Sequence, residues 1–194
     1  MSLGQRVSVA NMKITSMSSL LRLAALFVYT FANQGYASDG SGARLLNQVN
    51  FSASLTTAGQ PTEEELALIA ENDYDRVIFL AFSNHPKRVA NEDAIVRRLG
   101  LQFIHIPVEW ESPSVADFES FVAIMQTPAV AKTLVHCEVN FRASVFGFLY
   151  QVLHRGADMD DAMSMMQSVW VPNDTWQAFI VRVMNEKGFE YPPL

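Results

Sequence analysis

Ten consecutive residues carry most of the chemistry in this chain: Val135-His136-Cys137-Glu138-Val139-Asn140-Phe141-Arg142-Ala143-Ser144. They hold its only cysteine. The apolar run Thr133-Leu134-Val135 before the cysteine has strand character, and a helical pattern begins near Ala143. A thiol between them sits at the carboxyl end of a strand and beside a helix amino terminus, where backbone N–H groups and the helix dipole favour an anion. Arg142 adds a permanent charge with forked donors suited to a tetrahedral oxyanion. The chemistry this points to is attack by a thiolate on a centre that carries oxyanionic groups. A lone cysteine is ordinarily a small buried hydrophobe; the flanking His136 and Arg142 weigh against that reading.

The elements that must position these residues read as an alternation of strands and helices. Val49 to Leu55 forms a first strand, and Thr56-Thr57-Ala58-Gly59-Gln60-Pro61 a turn into a helix from Thr62 to about Ala70. Thr62 and Glu65 have capping-box spacing there, with acids in the first turn. Arg76 to Phe82 is a continuous apolar run, as in a parallel strand covered on both faces. A helix over Asn91–Leu99 stopped by Gly100, a strand over Leu101–Val108, and a helix capped by Ser114 and Asp117 follow. Lys132 to Val135 is the strand that delivers Cys137, and the apolar helix after the loop ends at Gly156. Asp158 caps a helix to about Val169, and Asn173 or Asp174 caps a last one to Lys187. The pattern predicts an α/β fold with a central, mostly parallel sheet flanked by helices. The Met159, Met163, Met165 and Met166 cluster reads as helix packing.

Residues 1–37 stand apart from this plan. Arg22, the apolar run Leu23–Ala32 and the small residues Gly35 and Ala37 give the three-part pattern of a secretory signal cleaved after Ala37. The apolar run is shorter than the roughly 20 residues a permanent span needs. Residues 38–47 then read as a linker and 48–194 as a single domain in a periplasmic or secreted protein. Removing residues 1–37 takes away Arg6, Lys13 and Arg22 and no acid, so the formal charge goes from −6 to −6 − 3 = −9. Nucleic acid is therefore not an expected partner. A single cysteine in an exported chain forms no internal disulfide. No cofactor and no metal are expected, since no His/Cys/Asp cluster has ligand spacing.

His136-Cys137 followed by Arg142 resembles the signature of the cysteine-dependent phosphatase superfamily, His-Cys, then five residues, then Arg; here four residues intervene. The shorter loop is similar to the phosphatase-like domain family of beta-lactamase-hydrolase-like proteins, a bacterial branch near the dual-specificity and protein tyrosine phosphatases. Thr57-Ala58-Gly59-Gln60-Pro61-Thr62, the strand ending at Phe82 and His105-Ile106-Pro107-Val108 resemble that family's segments in order, over roughly residues 48–155. The resemblance implies a phosphatase that works through a phosphocysteine on a phosphate monoester, small or carried by a phosphoprotein. Cys137 is then the nucleophile, with His136 favouring its thiolate. Arg142 and the backbone of Glu138, Val139, Asn140 and Phe141 hold the phosphate oxygens. The general acid falls on the loop after the preceding strand, at Glu111 rather than Glu109. Three positions depart from the family pattern. Asn140 stands where Gly is usual, Glu138 puts a carboxylate beside an anion pocket, and Ala143 replaces a hydroxyl residue, leaving Ser144 one place late.

Two other readings stay open. Rhodanese-type sulfurtransferases also place four residues between Cys and Arg; Cys137 would then carry a persulfide and Glu111 no acid role. The domain is alternatively a non-catalytic module that binds an oxyanion or a protein. His85 and Lys87 follow a strand's carboxyl end and can line the same mouth, although a plain surface loop is the simpler reading. His105 reads as a satisfied sheet residue, Trp110 as a pocket wall or packing residue, and His154 as a complement to a helix carboxyl end.

Overall fold

A computed structural model describes residues 44–86, 88–127 and 132–191. The expected signal over 1–37, the start of the linker and Lys87 lie outside these residues. The described residues belong to one unit, Gly40–Leu194.

Strands β1 (Val49–Ser52), β2 (Leu55–Ala58), β3 (Arg76–Phe79), β4 (Gln102–His105) and β5 (Thr133–His136) form a sheet in the order β1-β2-β5-β3-β4. Only the β1–β2 pair is antiparallel; β2–β5, β5–β3 and β3–β4 are parallel. The mostly parallel α/β sheet expected from the sequence is what the chain forms. The expected first strand is instead a hairpin, because the chain reverses at Ala53–Ser54, where the Ser52 hydroxyl accepts the Ser54 N–H at 3.3 Å. The Thr56-Thr57 segment expected as a turn is the buried strand β2. The Thr56 hydroxyl is satisfied there, donating to Asn50 and accepting from the Tyr74 hydroxyl.

Two apolar layers cover the sheet. Helices α1 (Glu63–Glu71) and α2 (Glu92–Arg98) place Leu66, Ile69, Ile95 and Val96 against Val77 and Leu134 on one face. Helices α3 (Val115–Met125), α4 (Phe141–Arg155), α5 (Met159–Gln167) and α6 (Asp174–Glu186) build the larger core on the other, against Ile78 and Val135. The capping boxes expected at Thr62/Glu65 and Ser114/Asp117 are both formed. Helix α4 starts two residues before Ala143 and is buried continuously from Arg142 to Val152. That burial fixes the helix amino terminus rigidly beneath the loop.

Candidate active site

Side-chain alternation along β5 sends Leu134 and His136 toward α1 and α2, and Val135 and Cys137 toward α4. Cys137 leaves the strand as a free, 1% exposed thiol packed in the larger core. The loop that follows is tied down from outside. The Cys137 N–H donates to the Ala58 carbonyl at 3.2 Å, and the Gln60 N–H donates to the Glu138 carbonyl at 3.1 Å. Val139 pairs with Gly59 in an antiparallel bridge. A Cβ on Gly59 would lie 3.1 Å from the Glu138 carbonyl oxygen and 2.8 Å from Leu46 Cδ2, so this close approach needs glycine.

A second tie comes from the end of the expected linker. Asn47 Nδ2 donates to the Val139 carbonyl at 3.0 Å, and Asn140 Nδ2 donates to the Asn47 carbonyl at 2.6 Å. With the carbonyls of Glu138 and Val139 held outside, the loop N–H groups are left for an anion. Among the described residues, no backbone carbonyl accepts from the N–H groups of residues 138–142. Asn140 takes the left-handed conformation (φ 71°, ψ 6°) that turns the loop into α4. Asn is among the residues that tolerate it best after glycine. N–H groups left without a backbone acceptor at a helix amino terminus are suited to an anion.

Arg142 supplies the charge. The residue is 8% exposed, and its guanidinium donates from Nε to the Val108 carbonyl at 3.0 Å and lies 5.1 Å from the centroid of the Trp110 ring. The loop after β4 thus positions the charge with a carbonyl and an aromatic face. The remaining edge faces Glu138, whose Oε1 stands 3.9 Å from Nη1. Glu138 is 40% exposed on its side chain and can turn outward into solvent. Trp110, Phe141 and Trp170 form a half-buried aromatic wall beside Arg142, with Phe141 stacked on Trp170 at 4.4 Å.

The other expected site residues divide. Ser144 is buried, and its hydroxyl donates to the Phe141 carbonyl at 3.0 Å and accepts from Trp170 Nε1 at 3.3 Å. His136 is buried on the α2 side, its Nε2 2.9 Å from Glu92 Oε1 and its ring stacked on Phe79. Glu111 is exposed and, among the described residues, has no hydrogen bond or ion pair with the loop; Glu109 accepts the N–H of its neighbour Trp110. His85, read more simply as a surface residue, is buried and lies within the electrostatic reach of Glu138, Arg142, Glu92 and His136. Burial pushes its basicity down, against the opposing pull of Glu138. His105 bonds the Ala81 carbonyl through Nε2 at 2.7 Å. Half-buried His154 packs against Phe118 and Tyr150, and burial and Lys187 lower its basicity, which weakens it as a charged partner of the helix end.

Glu92, Asn47 and Trp170 also belong to this neighbourhood, and the sequence did not mark them. Glu92 reads as an ordinary first-turn acid of α2; only the packing of α2 on β5 brings it to His136. A separate concavity of about 910 Å³, lined by residues such as Leu45, Thr56, Leu68, Tyr74 and Lys132, contains none of the loop residues.

Comparison with known proteins follows the same lines. The family profile described as DSP-PTPase phosphatase fused to NAD+ kinase matches residues 29–177. Beta-lactamase hydrolase-like proteins of Xylella fastidiosa strains Temecula1 and 9a5c are 28% identical over 120 residues, 60% of this chain. The chain spans 28% of the length of those curated relatives. Among solved structures, a candidate phosphatase of the DUF442 group from Shewanella putrefaciens CN-32 superposes with a TM-score of 0.66 at 28% identity, covering 74% of this chain and 94% of that one. Kinase associated phosphatase, carrying serine in place of its catalytic-site cysteine, shares the fold with a TM-score of 0.62 at 11% identity, covering 75% of this chain and 98% of its own. The chain belongs to the family described as DSP-PTPase phosphatase fused to NAD+ kinase, within the superfamily of dual-specificity and tyrosine phosphatases.

Proposed function

We propose that the chain is a cysteine-dependent phosphatase that hydrolyses a phosphate monoester through a phosphocysteine. The observation that carries this reading is the placement of Cys137 at the foot of a loop that runs into the amino terminus of α4, with Arg142 held beside it by the Val108 carbonyl. Family membership supports phosphorus as the centre attacked. Cys137 Sγ attacks phosphorus and the bond to the leaving oxygen breaks. The equatorial oxygens rest on the N–H groups of residues 138–142 and on Arg142. The leaving oxygen takes a proton, for which the loop after β4 offers the exposed Glu111. Water then cleaves the S–P bond and restores the thiolate.

A paired assay tests this. The chain and its Cys137→Ser variant receive an aryl phosphate in one arm and thiosulfate with cyanide in the other. Phosphate release abolished by Cys137→Ser supports the proposal; thiocyanate formation alone, or silence in both arms, overturns it. Glu111→Gln should slow release of a poorly stabilised alkoxide by about 10²-fold or more, the usual worth of a positioned acid. Undiminished release would remove the acid role from Glu111.

A further inference from the structure

Within the loop 138–142, Glu138 carries a charge of the same sign as the proposed substrate. Its backbone is fixed, since its carbonyl accepts the Gln60 N–H at 3.1 Å. Its Oε1 stands 3.9 Å from Arg142 Nη1, which is too long for a hydrogen bond. The carboxylate is 40% exposed and, among the described residues, accepts no hydrogen bond. Arg142 is meanwhile held from its other edge by the Val108 carbonyl and the Trp110 ring. A phosphate seated on Arg142 therefore has a carboxylate as a near neighbour. That neighbour disfavours further negative charge and favours a positive group close to the phosphate. Aromatic surface lies around the same guanidinium. Phe141, stacked on Trp170 at 4.4 Å, and Trp110, 5.5 Å from Trp170, are all half-buried. Trp110 already bears the Arg142 cation, and such rings attract ammonium groups in the same way. Exposed Glu109 and Glu111 flank Trp110 in the chain. With a formal net charge of −6, the chain offers a polyanion no general attraction. An anion site with a carboxylate and aromatic rings at its side matches a small zwitterion, phosphate at one end and ammonium at the other.

We propose that Glu138 is a specificity-determining residue that selects phosphate monoesters of amino alcohols, in which a positively charged nitrogen stands two carbons from the ester oxygen. Arg142 holds the phosphate, and the nitrogen meets the Glu138 carboxylate beside the aromatic rings. The short spacing follows from Glu138 lying next to Arg142: a charge much farther from the phosphate passes beyond it. The inference deepens the phosphatase reading and rests on it for the placing of phosphate on Arg142. Esters with a second phosphate or a carboxylate close to the first are disfavoured, because they set like charge against Glu138. Other charged groups nearby are His85, in the field of Glu138 and Arg142, and Arg88, which lines a separate cavity with Glu92.

Two probes isolate the charge: phosphocholine, and 3,3-dimethylbutyl phosphate, which has the same shape with carbon in place of the charged nitrogen. Their affinities for the folded full chain carrying Cys137→Ser are read by titration calorimetry. At low ionic strength phosphocholine should bind about tenfold more tightly, the combined effect of an exposed ion pair and a cation–π contact. That preference should shrink at high salt. Adding Glu138→Gln should tighten inorganic phosphate and the neutral probe while weakening phosphocholine, opposite signs that a loosened loop does not produce. Equal affinities for the two probes, or a change of the same sign for both in the variant, would overturn the proposal. Should Glu138→Gln fail to fold, the comparison of the two probes on the Cys137→Ser chain decides alone. A lysine-flanked phosphopeptide that outbinds phosphocholine and depends on Glu138 would overturn the assignment to small esters. Phosphate release by the chain with Cys137 intact is scored separately. Release from an aryl phosphate without the phosphocholine preference sinks this inference alone, whereas the preference without any release sinks the phosphatase reading alone.

Discussion

Asn140 bears two tasks at one position. Its backbone makes the left-handed turn into α4, and its side chain leaves the helix N–H groups uncapped to bond the Asn47 carbonyl instead. An ordinary cap would occupy the very donors an anion needs. Asn140→Gly keeps the backbone conformation and loses the bond, for a cost of about 1 kcal/mol. Asn140→Ala loses the bond and adds about 1–2 kcal/mol of left-handed strain. The expected order of stability in urea denaturation is parent, then Gly, then Ala; equal values for Gly and Ala would remove the strain argument. At this scale the sequence was informative wherever a residue's own chemistry decides. Cys137, Arg142 and the left-handed tolerance of Asn140 are all visible that way. Glu92 and Asn47 were not, because an acid or an amide is ordinary until tertiary packing buries it against a particular partner.

Helix α4 is the element on which the loop depends, and it packs tightly on the β1–β2 hairpin at Gly147. A Cβ there would meet Phe51 Cε2 at 2.6 Å and Thr57 Cγ2 at 3.0 Å. Ala normally gains about 1 kcal/mol over Gly within a helix. Here overpacking against the β1–β2 hairpin costs about 1–3 kcal/mol, and Thr57, fully buried, cannot move aside. Gly147→Ala should therefore lower stability by about 1 kcal/mol, read as an earlier urea midpoint, whereas a stabilised variant would mean the helix has room to lift. Periodicity placed α1, α3, α4 and the strands β3, β4 and β5 correctly because each buries a face whose spacing is written in the chain. It failed at the β1–β2 hairpin. The reversal at Ala53–Ser54 has no Gly, Asn or Pro to announce it and relies on the Ser52 hydroxyl, while buried Thr56 is polar and reads as a turn.

Across the whole molecule, acid should weaken the fold through histidines that burial keeps neutral. His85 and His154 are both less basic in the folded chain than in the unfolded one, chiefly by desolvation. Below about pH 6.5, the usual histidine value, the unfolded chain binds more protons, so stability is full above that pH and falls as pH drops toward the lowered folded values. His85→Gln and His154→Gln should each flatten that part of the stability curve, measured as unfolding midpoint against pH. The two differ in what an anion does to them. His154 packs against Phe118 and Tyr150, whereas His85 lies in the field of Glu138 and Arg142. Arg142 lowers the basicity of His85, and an oxyanion seated on Arg142 offsets that charge. Protonation of His85 then becomes easier in the loaded protein. Inorganic phosphate should accordingly stabilise the parent chain and His154→Gln more strongly as pH falls toward about 6, beyond what its own titration explains, and this increment should vanish in His85→Gln. An increment unchanged in His85→Gln would show that His85 does not sense the anion, and would return it to the loop packing that the sequence alone suggested.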